Sequence, residues 1–296
     1  MHKLELLAPA GNFDCLIAAV QSGADAVYLS GKAFGARSFA DNFNNEEIEK
    51  AIDYCHIRGV KVYVTVNTLV FDSEFEELSA YLGFLNRVGV DGIIVQDMGV
   101  FKAAQCIIPN LPIHASTQMT IYNKDGVKFL ENSGIKRVVL AREVSLSGIE
   151  EISKNTGAEL EVFGHGALCM CYSGQCLLSS IIGGRSGNRG KCAQPCRLMY
   201  SINSSTKKAF YLSLKDLSSL SHIENLKNAG VSSLKIEGRM KGPAYVAAVV
   251  GIYRKYIDNP HPAEEEDLHI LDMIFNRGGL TDGYLTQKKR SRYVCL

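Results

Sequence analysis

Five cysteines gather in one short stretch, EVFGHGALCMCYSGQCLLSSIIGGRSGNRGKCAQPCR, running from Glu161 to Arg197. They are Cys169, Cys171, Cys176, Cys192 and Cys196, five of the nine in the chain, and they fall within 28 residues. So many thiols in a Gly-rich, polar stretch do not read as small core hydrophobes. Thiolates are the ligands that soft metals and iron–sulfur clusters select. Cys169, Cys176, Cys192 and Cys196 supply the four thiolates that a 4Fe–4S cluster or a zinc ion requires, with Cys171 as a spare. Structural zinc favours paired tight knuckles, and this spacing offers none, so the iron–sulfur reading leads and zinc is the alternative.

Other chemistry is available nearby. His165 and Glu161 precede the first cysteine, which makes a Cys–His nucleophilic pair a candidate. Such a pair needs one activated thiol rather than five. No HExxH, GxSxG or P-loop string occurs. Lys235 and Glu237 are two apart and share one face of a regular strand, with Arg239 just beyond. A Lys–Glu pair of this kind, matched by Arg142 and Glu143 elsewhere, can bind a carboxylate or phosphate or form a structural ion pair. The run Gly183–Lys191 is basic and Gly-rich, and Arg197 follows. Its cations suit phosphate or an RNA backbone, or they offset anionic thiolates.

These residues need a scaffold. The chain has 296 residues, is 46% hydrophobic and 21% charged, and carries a net charge of +1. It can bury a large core, and its overall charge does not argue for nucleic acid. No apolar run approaches the roughly 20 residues of a membrane span. The start, MHKLELLAPAGNFD, does not read as a signal peptide. A cytoplasmic location is expected, where clustered cysteines favour metal over disulfides.

Short apolar runs recur at Leu4–Leu7, Ala26–Leu29, Val60–Val66, Gly92–Val95, Ile113–Ser116, Val138–Ala141, Leu160–Phe163, Phe210–Leu214 and Ser233–Ile236. Most are continuous rather than alternating, as buried parallel strands are. Helical patterns separate them: Phe13–Ser22, Asn45–Arg58, Ser73–Val88 with a capping-box-like SEFE, Asp216–Ala229 with an Asp cap, and Pro243–Asp258 opening on proline. The alternation predicts an α/β fold, a TIM-type (β/α)8 barrel with an inserted cysteine-rich loop at 161–197. Nine strand candidates compete for eight places. Leu198–Leu214 also reads as a hairpin turning at Asn203–Lys208. Polar residues follow nearly every strand, among them Asn67, Gln118, Arg142, His165 and Lys235, as a polar barrel mouth requires. The barrel is expected over 1–260, with a C-terminal helix and short basic tail over 261–296.

The string Glu161-x-Phe163-x-x-Gly166-Ala167-Leu168-Cys169, continuing through Gly174 and Cys176 to Leu178-Ser179, resembles the signature of peptidase family U32, the collagenase-like proteases. ELLAPAGN at the start, VNTL around Asn67, STQM around Gln118 and SLKIEGRMK around Glu237 resemble it too, so the resemblance spans about residues 4 to 285. It implies one of two activities. Some members are described as collagenases or proteases of undefined catalytic type. Others are cytoplasmic iron–sulfur proteins needed to hydroxylate a 23S ribosomal RNA cytidine or a transfer RNA wobble uridine, or for oxygen-independent ubiquinone synthesis. The cysteine stretch is most similar to the ribosomal RNA branch, whose members continue into further domains, so the chain resembles that branch's N-terminal barrel. The resemblance implies cluster ligation by Cys169, Cys176 and Cys192. Cys196 is the expected fourth ligand and Cys171 the runner-up. An RNA-hydroxylating iron–sulfur enzyme is therefore expected, with RNA and a small-molecule cosubstrate as partners. A peptidase acting on peptides and a zinc-stapled RNA-binding module are the alternatives. Glu161, His165, Lys235, Glu237 and Arg239 are the candidate catalytic residues.

Overall fold

The computed structural model describes residues 3–173, 175–202 and 207–287. Seven parallel strands follow in order: β1 (Glu5–Pro9), β2 (Ala26–Leu29), β3 (Lys61–Val66), β4 (Gly92–Val95), β5 (Ile113–Ala115), β6 (Arg137–Val139) and β7 (Glu159–Ala167). Three short strands come next, β8 (Tyr200–Ser201), β9 (Lys208–Ala209) and β10 (Asp216–Ser218), before β11 (Val231–Ile236) and β12 (Leu280–Thr281). β11 pairs in parallel with both β7 and β1, which closes β1–β7 and β11 into an eight-stranded barrel.

Helices α1 (Phe13–Gln21), α2 (Asn45–His56), α3 (Phe75–Val88), α4 (Met98–Ile107), α5 (Lys124–Asn132) and α6 (Leu146–Asn155) follow the first six strands. α7 (Leu178–Gly183) lies within the cysteine-rich insertion, α8 (Ile223–Asn228) precedes β11, and α9 (Pro243–Asp258), α10 (Glu265–Ile274) and α11 (Gly283–Thr286) follow it. Several barrel helices start where side chains satisfy their first amides. Asn12 accepts from Cys15 N, Asn44 and Glu47 form a capping box, and Asp97 accepts from Gly99 and Val100. These caps fix where each strand-to-helix loop ends and hence the shape of the mouth.

Nine strand candidates resolve into eight barrel strands because Phe210–Leu214 is not one of them. β8 and β9 pair antiparallel, Tyr200 opposite Ala209 and Ser201 opposite Lys208, as a hairpin. Residues 203–206 of its turn lie outside the described residues. The helix expected over Asp216–Ala229 is also corrected. Residues Asp216–Ser218 form β10, antiparallel to β7 and parallel to β12. Asp216 is no cap: its carboxylate accepts from the Arg277 guanidinium at 3.0 and 3.2 Å. The helical part is reduced to a 3-10 turn, Leu220–His222, followed by α8, Ile223–Asn228. SEFE does not cap α3 through Ser73. A 3-10 turn, Asp72–Glu74, precedes that helix, and Glu74 instead accepts from the Phe71 amide at 2.7 Å. Residues 265–287 pack on the barrel, with Tyr256 of α9 donating to Asp267 of α10 at 2.8 Å. The basic tail and Cys295 fall outside the described residues.

Two layers of core result. The larger lies between strands and helices and includes Leu6, Ala8, Val27, Leu29, Val62 and Val64. The smaller lies inside the barrel: Leu7, Ala26, Tyr28, Tyr63 and Ile94. The barrel interior also holds His114 against the Tyr63 ring and an ionic network. Glu161, fully buried, accepts from Lys235 Nζ at 2.8 Å and Arg137 at 3.3 Å. Arg137 also donates to Glu5 and Glu159, and Ser233 donates to Glu5 at 3.0 Å. Removing one partner from such a network leaves a buried charge unpaired, which costs about 3–5 kcal/mol. Glu161→Ala is therefore expected to lower stability by about that much, read as a fall in the urea midpoint at unchanged slope. A midpoint equal to wild type would show that the network is dispensable.

Candidate active site at the barrel mouth

The C-terminal strand ends enclose a cavity of about 370 Å³. Its floor is Lys235, whose ammonium lies 4.0 Å from the centre of the Tyr28 ring and is held by Glu161 beneath. Burial lowers the pKa of Lys235, and the Glu161 charge opposes that shift. Tyr28 is fixed in turn by donating to the Ile236 carbonyl at 2.9 Å.

Glu237 stands beside Lys235 on the wall and accepts from Arg142 at 2.8 Å, with Arg37 at 3.9 Å. Burial alone would raise the Glu237 pKa, but the charges of Arg37, Arg142 and Arg239 prevail and hold it below the usual range. Arg142 also donates to Ser173 at 3.1 Å and stacks 3.8 Å above the Phe163 ring. It thus serves Glu237 rather than forming a pair with its neighbour Glu143. Arg239 is 5% exposed, donates to Thr65 at 3.2 Å, and is lowered to a pKa of about 10 by burial and the neighbouring Arg37. Lys241 lies on the same wall and is lowered to about 8, mainly by burial and then by Arg277. The cavity is strongly cationic, with Glu237 its one acidic wall residue among the described residues.

The insertion forms the opposite wall. Cys169, Cys176, Cys192 and Cys196 all line the cavity, whereas Cys171 does not. Burial raises the Cys196 thiol, Arg197 works against it, and the charges of Cys169, Cys192 and Cys176 add to the rise. Cys171 is raised in the same way by burial and by Cys176 and Cys169. The Gln194 amide donates to Cys192 Sγ at 3.4 Å. Among the described residues no three His, Cys, Asp or Glu side chains are already drawn together for a metal ion. The donors nevertheless fit a thiolate-ligated group: four soft ligands share one wall, beside cations that offset their charge.

The insertion is tied down by its basic residues. Arg189 forks onto Glu74 at 2.9 and 2.7 Å, donates to the Leu69 carbonyl at 2.7 Å and stacks on Phe71. This pairing holds the Glu74 carboxyl down to a pKa of about 2. Arg197 donates to Ser213 at 2.9 Å and to the carbonyls of Leu214 and Leu168. Gly190, at φ +77°, leaves no room for a Cβ, which would stand 2.6 Å from the Gly35 carbonyl oxygen. Asn67 joins three loops: it accepts from the Ala36 amide and donates to Gln118 at 3.0 Å and Ser116 at 3.4 Å. Two of the loop cations expected at phosphate are thus structural ties.

The candidate catalytic residues do not all meet. Lys235, Glu237 and Arg239 line the cavity. Glu161 lies beneath it as the support of Lys235 and does not reach the wall. His165 points elsewhere. The β7–β11 register slips between Lys235 and Ile236, so Phe163 pairs with Lys235 but His165 with Ile236. The extra residue, Gly164, is a bulge that turns the next side chain to the other face. His165 therefore packs on α9, 5.6 Å from the Tyr253 ring and 6.1 Å from the Tyr245 ring. A Cys–His pair is not assembled. Sequence reasoning passed over Arg37, Tyr28 and Thr65, which sit at strand ends or in loops without a motif. Only their position at or just beyond the C-terminal end of a strand could have marked them.

An eight-stranded barrel with a cationic, cysteine-walled cavity at its C-terminal face defines the class, an enzyme-type TIM barrel carrying a thiol-rich insertion. The chain belongs to peptidase family U32, whose model matches residues 11–294. It is 42% identical to the "tRNA hydroxylation protein P1" of Bacillus subtilis, over 94% of this chain and 70% of that one. It is also 42% identical to the 23S rRNA 5-hydroxycytidine synthase of Escherichia coli, over 87% of this chain but only 40% of that protein. A protein named collagenase from Porphyromonas gingivalis is 33% identical, over 97% of this chain and 75% of that one. The solved structure of a U32 peptidase shares the fold with a TM-score of 0.54 at 12% identity, covering 80% of this chain and 94% of that one.

His165 is 1% exposed, and burial pushes its pKa down to about 3 from 6.5. Buried His114 is lowered for the same reason. The unfolded chain takes up these protons near pH 6.5 and the folded chain does not, so stability must fall as pH drops from about 6.5 toward 3. The urea midpoint is expected to decline between pH 7.5 and pH 5, and His165→Gln to flatten that decline. An equal slope in the variant would show that His165 is not the acid-sensitive group.

Proposed function

We propose that this chain is an RNA-hydroxylating enzyme whose four cavity cysteines hold a 4Fe–4S cluster. The observation that carries the reading is the shared wall: Cys169, Cys176, Cys192 and Cys196, spread over the insertion, face the same cavity as Lys235, Glu237 and Arg239. The names of the tRNA and 23S rRNA relatives supply the substrate class. A cytoplasmic location goes with such a substrate. Among the described residues no helix is long and apolar enough to cross a membrane.

The cluster, when bound, would supply electron transfer or a Lewis-acidic iron for the incoming oxygen. The chain's own residues do the rest. Lys235 and Arg239 present two buried cations to a carboxylate or phosphate of a small cosubstrate, charges preorganised where water is scarce. Glu161, bound to Lys235 from below, favours its ammonium form against the effect of burial. Arg142 and Arg37 keep Glu237 ionised, so Glu237 accepts a hydrogen bond rather than donating one. Phe163 and Tyr28 line the same cavity, their rings carrying the Arg142 guanidinium at 3.8 Å and the Lys235 ammonium at 4.0 Å, so they hold those cations in place for an anionic group.

The peptidase reading draws on the relatives named collagenase and protease. The candidate base, His165, does not serve it, since that ring is turned onto α9. A zinc-stapled binding module predicts colourless protein.

Anaerobically purified protein is expected to be brown, with about four irons and four sulfides per chain. Cys176→Ser and Cys192→Ser should each lose most of that iron, and RNA from a deletion strain carrying them should lack one hydroxyl. Zinc in place of iron, or no metal after reconstitution, would overturn the reading. Arg239→Gln should keep its iron yet abolish the hydroxyl. If the RNA of that variant is fully modified, the anion-binding role of Arg239 is wrong.

A further inference from the structure

The insertion carries a charge pattern that its cysteines do not require. From Val162 to Lys215, 54 consecutive residues contain no Asp or Glu and seven Lys or Arg. The whole chain has 31 acidic residues in 296, so a run of this length without one is a marked departure. The segment also keeps apolar side chains in solvent, among them Ile181, Leu198 and Met199. Arg189 is paired with Glu74 and Arg197 is bound to backbone carbonyls, so the segment's other basic residues, Arg185, Lys191 and Lys208 among them, are the cations a polyanion would meet.

Aromatic rings stand around the mouth beside that segment. Tyr172 of the insertion and Tyr122 of the loop after β5 are 56% and 58% exposed, with ring centres 6.3 Å apart and planes 33° from parallel. The loops carrying them are locked together below the rings: Thr120 donates to the Ser173 carbonyl at 2.6 Å, and Gln175 donates to Thr120 at 2.9 Å. The pair is therefore pre-positioned while its outer faces stay open. On the other side of the mouth, Phe39 and Phe71 are 57% and 62% exposed, and each is backed by an arginine of the insertion: Arg185 at 4.6 Å and Arg189 at 4.3 Å. Exposed rings held rigidly beside cations are what unpaired bases stack on.

We infer that the Tyr122–Tyr172 pair, with the arginine-backed Phe39 and Phe71, is a stacking platform that holds single-stranded RNA across the mouth while the acid-free insertion tracks its backbone. The inference rests on the proposed RNA substrate and deepens it by naming the contacts. Stacking on rings tolerates any base, so the platform supplies grip and register around the target rather than sequence choice. Duplex RNA hides its base faces and is excluded.

The test is fluorescence anisotropy of the full chain, purified anaerobically, with a labelled single-stranded RNA of about twelve nucleotides. The same strand in a duplex and anionic phospholipid vesicles serve as competitors. The Tyr122→Ala/Tyr172→Ala double variant is expected to bind about tenfold more weakly, with its salt dependence unchanged. The Tyr122→Phe/Tyr172→Phe pair keeps both rings and restores the affinity. Lys191→Gln should reduce the salt slope by about 0.7 instead. Iron content and the thermal midpoint monitor folding in every variant. Wild-type affinity in the alanine pair overturns the platform, as does competition by duplex or vesicles stronger than by the single strand. If the wild type binds no RNA while the deletion strain lacks a hydroxyl that the gene restores, the platform fails and the proposed function stands. If binding depends on the rings but no hydroxyl is missing, the function fails and the platform stands.

Discussion

The mouth of this barrel depends on a carboxylate that never reaches it. Glu161 is buried inside the barrel between Arg137 and Lys235. A buried ion is tolerated only when it is paired and hydrogen-bonded. Here the pairing extends through Arg137 to Glu5 and Glu159, across strands β1, β6, β7 and β11. Lys235 tops this column and is the only member to open onto the cavity. A barrel filled entirely by branched aliphatic residues would be simpler to stabilise, but it could not hold an ammonium at the floor of a site.

Above that floor, two sets of ties make one cavity from two walls. Glu237, Arg142 and Ser173 link β11, the loop after β6 and the insertion. Asn67 and the Arg189–Glu74 fork link the insertion and the loops after β2, β3 and β5. The close passage of Gly11 against Arg239, where a Cβ would stand 2.0 Å from the carbonyl oxygen, joins the first loop to the last. Each tie places a cation or a thiol with respect to the barrel axis. Cysteines up to 27 positions apart can then share one wall because the loops, rather than the strands, decide their position.

His165 shows how a single bulge redirects chemistry. In the sequence it stands four residues before Cys169, a spacing that invites a nucleophile–base pair. Strand alternation from Phe163 would also point it into the barrel. Gly164 breaks the alternation, and the Tyr253 hydroxyl, which donates to the Gly164 carbonyl at 2.8 Å, secures the bulge. His165 becomes part of the packing between β7 and α9. Asp216 is likewise no helix cap: it lies in β10, where its buried carboxylate accepts from Arg277 on a neighbouring segment.

The sequence by itself determined the barrel. Its buried strands are continuous apolar runs, its helices announce themselves by caps such as Asn44 and by Pro243, and these signals are local, carried by neighbours in the chain. It also determined that thiols and cations dominate the chemistry, because composition within 161–197 needs no coordinates. Tertiary structure alone decided which of these residues meet. Arg37, Thr65, Arg142 and Glu237 come from four different strand ends, and only barrel closure brings them together. It separated Glu161 and His165 from the cavity through burial and a bulge, features set by pairing register with β11 some 70 residues away. It also placed Cys196, and not Cys171, among the residues that line the cavity.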